Sequence, residues 1–230
     1  MPELAKHFKV IAFDNRGAGR SDKPAMDYSI PLFAADTARL LEGLKVERSH
    51  VLGVSMGGYI AQELALARPE MVAGLVLGCT SCGGDPAVYM DPVERAAFTT
   101  NQGLSPEQIL YKDMHIYFSD EFVAGNPEFI ERFVEISQLH YQPADAFLRQ
   151  VEACNRHDTA ARVGGISAPT LILSGDDDHL VPTENSRILH RLIPGSRLRM
   201  FPGGRHAFFI EFHQEFNSEV VEFLAACGKS

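Results

Sequence analysis

A serine flanked by glycines is the feature that most constrains how this chain can fold. The pentapeptide Gly53–Gly57 reads Gly-Val-Ser-Met-Gly. It follows the apolar run Ser49–Gly53, which predicts a short buried strand, and it precedes Tyr59–Arg68, which predicts a helix rich in small residues. A strand that turns this sharply into a helix holds its serine in a strained backbone geometry. We expect both Gly53 and Gly57 to be required, because a side chain at either position would clash across the turn.

Such a turn presents the hydroxyl of Ser55 at the N-terminus of a helix. The positive end of the helix dipole stabilises negative charge there, and the backbone amide of Met56 is then a natural oxyanion donor. The motif therefore predicts Ser55 as a nucleophile and Met56 as an oxyanion-hole residue. The alternative is a simple tight turn, since Gly-x-Ser-x-Gly also occurs by chance.

A nucleophilic serine needs a base, and the base needs a group that orients it. The apolar run Pro169–Gly175 predicts a strand and leads into the acidic loop Asp176–Pro182. The alternating segment Arg197–Phe201 predicts another strand, and the turn after it delivers His206 just before a closing helix. The chain order is therefore serine, acid, histidine.

This order is the one found in α/β-hydrolases, and the chain resembles that superfamily over nearly its whole length. The resemblance is to its small esterase and 3-oxoadipate enol-lactonase branch. Residues Phe13–Asp22 are similar to the family's Asp-x-Arg-Gly-x-Gly-x-Ser loop, and Gly175–Pro182 is similar to its Gly-x-x-Asp-x-x-x-Pro acid loop. The segment Gly204–His206 resembles the histidine loop. The resemblance implies a triad of Ser55, Asp178 and His206, with the register of the acid loop selecting Asp178 over its two neighbours.

The order of elements predicts a single α/β fold with an insertion. Strand and helix patterns alternate up to about Cys82, become mainly helical, and alternate again from about Ala168. We predict an α/β-hydrolase core, a mostly parallel sheet flanked by helices, from residues 1–82 and 168–230. Residues 83–167 then form a helical cap that bounds a substrate pocket. Candidates to line that pocket are Met114, Tyr117, Phe118, Phe122 and Phe133, although packing among helices is the commoner role for each.

The start of the chain departs from the family pattern. The family carries an apolar strand ending in His-Gly before the Asp-x-Arg-Gly loop, whereas here that loop begins within fourteen residues of Met1. We expect that about three strands and most of a helix, on the order of 35 to 50 residues, are lacking. The loop that usually supplies the second oxyanion donor is among them. A late start codon or incomplete record and a genuinely shortened protein both remain open.

Charge and hydropathy limit the classes of partner that the chain is expected to bind. The net charge of −9 argues against a nucleic acid or an anionic membrane, which would require clustered Lys and Arg. No stretch approaches 18 consecutive apolar residues, and Met1–Asn15 lacks the pattern of a signal peptide. We therefore expect a cytoplasmic protein that acts on a small molecule, without a membrane or nucleic-acid partner. The sequence does not predict an oligomeric state.

No cofactor or metal is predicted. Cys79 and Cys82 form a Cys-x-x-Cys pair, but no second pair follows to complete a zinc site, so small residues at a pocket rim are the simpler interpretation. His50 and His179 are interpreted as packing or surface residues. The carboxylates of Asp176 and Asp177 are expected to favour the imidazolium form of His206.

Together these features predict a serine hydrolase that cleaves a small carboxylic ester or lactone through an acyl-enzyme. Within enzymes, the resemblance leaves carbon-carbon bond hydrolases and perhydrolases as alternatives. Outside enzymes, the alternative is a ligand-binding protein on a hydrolase scaffold with a vestigial triad.

Overall fold

The computed structural model describes residues 2–139 and 142–228. Its centre is a parallel sheet of four strands in the spatial order β1-β2-β3-β4. The strands are β1 (Ser49–Val54), β2 (Val72–Gly78), β3 (Thr170–Gly175) and β4 (Arg197–Phe201). All four coincide with apolar or alternating runs of the sequence, so the predicted parallel α/β architecture is confirmed.

Helices precede, separate and follow the strands, as parallel crossovers require. The core helices are α1 (Ile30–Gly43), α2 (Met56–Ala67), α8 (Glu184–Leu192), α9 (Phe208–Glu211) and α10 (His213–Cys227). Five more lie between β2 and β3 in the chain: α3 (Pro92–Thr99), α4 (Pro106–Tyr117), α5 (Asp120–Gly125), α6 (Pro127–Gln138) and α7 (Ala144–Asn155). Short 3₁₀ turns occur at Leu4–Lys6, Pro69–Met71 and Val163–Gly165.

Two apolar layers cover the two faces of the sheet. Successive side chains of β2 alternate between them, with Leu75 and Leu77 on one face and Val76 on the other. The first face packs against α1, α2 and α8, and the second packs against α9 and α10. The central strands are buried on both sides, which explains why they are continuous apolar runs in the sequence.

The segment between β2 and β3 supplies most of a small apolar cluster, to which Ala207 from the chain after β4 also belongs. Met114, Phe118, Ile130 and Val134 are buried in it, and the ring of Phe118 contacts those of Phe122, Phe129 and Phe133. Prolines occupy the first helical position in α3, α4 and α6, where the missing N–H group leaves no helical hydrogen bond unmade. The predicted division into residues 1–82, 83–167 and 168–230 stays a prediction.

None of the helices in the described part of the chain combines the length and apolar character that a membrane span requires.

The glycines of the turn after β1 do not act as the sequence predicted. A Cβ atom at Gly53 would collide with the carbonyl group of Gly57, so Gly53 is required as expected. A Cβ atom at Gly57 would meet no atom within 4 Å, so the prediction of a clash there was wrong. The second close approach is at Gly58, where an added Cβ would lie 2.5 Å from the side chain of Thr80. Gly58 thus lets α2 pack directly against the segment after β2.

This difference between neighbouring glycines can be tested by alanine substitution. We expect Gly58→Ala to lower the free energy of unfolding by about 1 to 3 kcal/mol, because the added methyl overpacks the contact with Thr80. Gly57→Ala is the matched control and should leave stability unchanged or raise it by up to about 1 kcal/mol, since alanine favours the helix. Urea unfolding of the two variants measures the difference, and equal stabilities would contradict the close approach at Gly58.

Candidate active site

Ser55 lies between β1 and α2 in a strained conformation. Its φ is +55° and its ψ is −122°, a left-handed region that residues with a side chain rarely adopt. Strain of this kind costs about 1 to 3 kcal/mol and persists only where neighbouring structure holds it. The amide of Ser55 donates to the carbonyl oxygen of Gly78 at 2.9 Å, and the hydroxyl of Thr80 donates to the carbonyl oxygen of Ser55 at 2.9 Å. The end of β2 thus fixes the serine on both sides.

Met56 is the first residue of α2 and lines the same cavity as Ser55. Amide groups in the first turn of a helix have no partner within that helix. The backbone of Met56 is therefore positioned as the sequence predicted, and its role as an oxyanion donor stays a prediction.

Asp178 and His206 form a buried hydrogen-bonded pair. The Nδ1 atom of His206 lies 2.8 Å from an oxygen of the Asp178 carboxylate. The Asp178 side chain has no solvent exposure and that of His206 has 8%. The second oxygen of Asp178 accepts from the amide of Val181 at 3.0 Å, which fixes the carboxylate within its own loop. Of the three neighbouring aspartates, Asp178, which the family register selects, is thus the one that forms a hydrogen bond with His206.

The environment of His206 favours its protonated form. Burial acts to lower the pKa of His206, but the Asp178 carboxylate bonded to its ring stabilises the cation, and the net effect holds that pKa well above its usual value. The expected direction is thus correct, although its cause differs from the predicted one. Asp177 instead accepts from Arg205 at 3.2 Å and lies 3.1 Å from His179.

Asp176 is also used locally. One of its oxygens accepts from the amide of Gly203 at 2.6 Å, a contact that joins the acid loop to the turn after β4. Asp176 and Asp177 therefore hold the two loops together and do not bear directly on the imidazole.

The histidine loop is attached to the segment between β2 and β3. The amide of His206 donates to the carbonyl oxygen of Ile116 at 3.3 Å, and the amide of Ala207 donates to that of Tyr117 at 2.8 Å. The guanidinium of Arg205 donates to the carbonyl oxygen of His115 at 2.7 Å and to Asp120 at 2.9 Å. The end of α4 therefore helps to position the predicted base.

Ser55 and His206 open into one cavity of about 440 Å³. This size lies within the range of about 300 to 1,000 Å³ that is usual for small-molecule sites. No hydrogen bond joins the Ser55 hydroxyl to His206 among residues 2–139 and 142–228. In enzymes without bound substrate such bonds are often long and tighten only when substrate binds.

Most of the residues predicted to line the pocket pack elsewhere. Tyr117 lines the cavity and also packs against the apolar cluster formed mainly by the helices between β2 and β3, whereas Met114, Phe118, Phe122 and Phe133 belong to that cluster without lining the cavity. This is the commoner role that the sequence analysis assigned to each of them.

Sequence reasoning missed the pair Tyr59 and His157, which also line the cavity. Their rings stack with centroids 4.4 Å apart and an interplanar angle of 21°. Burial lowers the pKa of His157 to about 4 and raises that of Tyr59, so both side chains are neutral near pH 7. No motif marks either residue, and only the fold brings them together.

Cys79 and Cys82 are not joined by a disulfide bond. The thiol of Cys82 donates to the carbonyl oxygen of Gly83 at 3.4 Å, whereas Cys79 lies beside Asp178 and His206. The sequence placed the pair at a pocket rim and did not anticipate this contact with the predicted triad.

The α/β architecture and this arrangement of residues can now be compared with known proteins. A family model described as alpha/beta hydrolase fold matches residues 1–212. This chain belongs to the alpha/beta hydrolase family. The predicted resemblance is thereby confirmed at the level of the family.

Individual alpha/beta hydrolases resemble the chain over nearly all of its length. "Putative carbamate hydrolase RutD" of Pseudomonas savastanoi pv. phaseolicola is 30% identical, covering 97% of this chain and 86% of the relative. The enol-lactonase of Burkholderia xenovorans LB400 has a TM-score of 0.84 at 26% identity, over 97% of this chain and 84% of that one. An esterase of Exiguobacterium antarcticum has a TM-score of 0.80 at 25% identity, over 92% and 80% respectively.

The pKa values of the two buried histidines of the cavity should be shifted in opposite directions from the usual value for histidine. We expect the imidazole of His206 to lose its proton well above pH 6.5, because Asp178 stabilises the cation, and that of His157 to do so near pH 4, because burial disfavours it. Side-chain NMR measures both, with His206→Gln and His157→Gln as assignment controls. A midpoint for His206 at or below 6.5 would contradict the described electrostatics.

Proposed function

We propose that this alpha/beta hydrolase is a serine hydrolase that cleaves a small carboxylic ester or lactone through an acyl-enzyme. The observation that carries the proposal is the buried Asp178–His206 pair, bonded at 2.8 Å, whose histidine lines the same cavity as the strained Ser55. A nucleophile, a base and a group that orients the base are the three parts that acyl transfer requires.

Each side chain has a defined role in this mechanism. In its neutral form, which becomes more populated as the pH rises toward the raised pKa of His206, the imidazole accepts the proton of Ser55 as the hydroxyl oxygen attacks the substrate carbonyl carbon. Asp178 holds the imidazole in the correct tautomer and stabilises the imidazolium that forms. The imidazolium then protonates the leaving oxygen as the bond from that oxygen to the carbonyl carbon breaks, leaving Ser55 acylated.

Water completes the cycle. His206 accepts a proton from water, which attacks the acyl carbon, and returns a proton to the Ser55 oxygen as the acid leaves. The negative charge of each tetrahedral intermediate develops beside the N-terminus of α2, where the amide of Met56 donates to it. No cofactor enters these steps.

The cavity supports an uncharged, partly apolar acyl group. Tyr59, Tyr117, Phe98 and Val151 contribute apolar surface to its lining. Of the described lining residues other than histidine, Arg95 alone carries a formal charge, and it lies exposed on α3. A small neutral ester or lactone fits such a site, and the enol-lactonase and esterase among the similar structures lend this choice support.

A carbamate is the second candidate substrate. It is favoured by the relative whose name assigns it carbamate hydrolysis, at 30% identity over nearly the whole chain. A carbamate presents the same carbonyl carbon to Ser55, so the roles of Asp178 and His206 are unchanged. Comparing turnover of matched phenyl esters and phenyl carbamates separates the two substrates.

The triad can be tested by removing its members. We expect Ser55→Ala to lower kcat for 4-nitrophenyl acetate by about 10⁴-fold or more, because the nucleophile is lost. Asp178→Asn should lower kcat by about 10⁴-fold, because the imidazole is held in the wrong tautomer. The control is Ser137→Ala, a serine on an exposed turn of α6. Turnover by Ser55→Ala equal to that of the unmodified protein would contradict the proposal.

The ligand-binding alternative gives a different result. If the triad is vestigial, esters raise the melting temperature of the unmodified protein without being cleaved, and Ser55→Ala behaves identically.

The size of the cavity makes a prediction about the acyl chain. A volume of about 440 Å³ must hold both the acyl and the leaving group. We therefore expect kcat/KM for 4-nitrophenyl esters to be highest for acetyl to butyryl groups and at least about tenfold lower for dodecanoyl, because the long chain cannot be fully buried. The control is the spontaneous hydrolysis rate of each ester. A kcat/KM that rises steadily to dodecanoyl would contradict the prediction.

A further inference from the structure

Cys79 is the residue that follows β2, and its backbone is strained. Its φ is +36°, in the left-handed region, although it is not a glycine. The backbone is held there by the amide of Cys79, which donates to the carbonyl oxygen of Leu173 at 2.9 Å and so joins β3. Strained residues that the surrounding structure fixes in place cluster at functional sites.

The thiol of Cys79 contacts the predicted base and its acid. It is fully buried and donates to the backbone carbonyl oxygen of His206 at 3.3 Å. The sulfur, an oxygen of Asp178 and a ring nitrogen of His206 all lie within 4.8 Å of one another. The side chain thus packs against both the backbone and the imidazole of His206.

The residues on either side of Cys79 hold the nucleophile. The carbonyl oxygen of Gly78 accepts from the amide of Ser55 at 2.9 Å, and the hydroxyl of Thr80 donates to the carbonyl oxygen of Ser55 at 2.9 Å. Three consecutive residues, Gly78, Cys79 and Thr80, therefore contact Ser55 on one side and His206 on the other. This short segment is a physical link between the elbow and the histidine loop, which are far apart in sequence.

We propose that Cys79 is a positioning residue that fixes His206 between Asp178 and Ser55. The inference rests on the proposed serine-hydrolase function and extends it to a residue outside the triad. Cys79 is not among the described residues that line the cavity, so it acts through His206 and does not touch substrate. Its contribution is geometric: a buried side chain of the right volume with one hydrogen-bond donor.

The protonation state of the thiol agrees with this role. Burial raises the pKa of the Cys79 thiol, so the group is a neutral S–H near pH 7. A neutral thiol can donate to the carbonyl oxygen of His206, whereas a thiolate would repel that oxygen.

A matched control residue, Cys82, lies three positions after Cys79 in the chain. Cys82 is also fully buried and also donates to a backbone carbonyl oxygen, but its partner is Gly83. Alanine at either position removes one buried thiol and one weak hydrogen bond. Only the substitution at Cys79 removes a contact with His206.

The test compares Cys79→Ala, Cys79→Ser and Cys82→Ala with 4-nitrophenyl acetate. We expect Cys79→Ala to lower kcat by about 10- to 100-fold with KM within about twofold, because a small displacement of the base slows the chemical step without removing a substrate contact. Cys79→Ser retains a donor and should recover kcat to within about tenfold of the unmodified protein. Cys82→Ala should keep kcat within about twofold, since it leaves His206 in place.

An unchanged kcat in Cys79→Ala would overturn the inference. So would an equal loss of kcat in Cys79→Ala and Cys82→Ala at equal melting temperature, because the effect would then be a general consequence of a buried cavity.

A second measurement separates positioning from ordinary core packing and does not depend on turnover. The NMR titration midpoint of His206 should fall in Cys79→Ala, because the imidazole is held less closely against Asp178, and should stay unchanged in Cys82→Ala. An unchanged midpoint in Cys79→Ala would overturn the inference. If the unmodified protein cleaves no ester or carbamate, the proposed function fails. The titration midpoint of His206 in Cys79→Ala then still shows whether Cys79 positions the imidazole.

Discussion

The parallel hydrogen-bond register of the four strands is the constraint on which the site depends. Val54 pairs with Gly78, and Gly175 pairs with Phe201, so all four strands end at one edge of the sheet. The chain then leaves that edge four times, and each exit carries one residue of the proposed site: Ser55 after β1, Cys79 after β2, Asp178 after β3 and His206 after β4. Residues up to about 150 positions apart in sequence become neighbours because parallel strands share their carboxyl ends. A slip of one residue in any pair would turn these side chains to the opposite face and disperse them.

A second constraint is that the site is strained and buried, so its neighbours must hold it. Ser55 and Cys79 both have positive φ, and the backbone hydrogen bonds of adjacent strands keep them there. The Asp178–His206 pair is shielded from water, and removing one partner of a buried charged pair typically costs about 3 to 5 kcal/mol. The histidine loop is also bonded to the end of α4. Movement of α4 would therefore displace His206, the proposed base.

Sequence reasoning predicted much of this because the informative signals are local. The four strands are apolar or alternating runs, and the elbow, the acid loop and the histidine loop are short motifs at strand ends. The family register distinguished Asp178 from Asp177 before any geometry was known. What the sequence did not predict depends on contacts between distant segments. The contact of Cys79 with His206 and the stacking of Tyr59 on His157 arise only when the loops converge. The clash predicted at Gly57 lies at Gly58 because the packing partner, Thr80, comes from the segment that follows β2.

If this arrangement activates Ser55, covalent labelling should detect the activated hydroxyl. The folded chain and its Ser55→Ala variant would be treated with a fluorophosphonate probe, and their intact masses and labelled peptides measured. We expect the unmodified chain to gain the mass of one phosphonyl group, located on Ser55, and the variant to gain none. A folded chain that stays unlabelled, or a variant labelled equally well, would contradict this expectation.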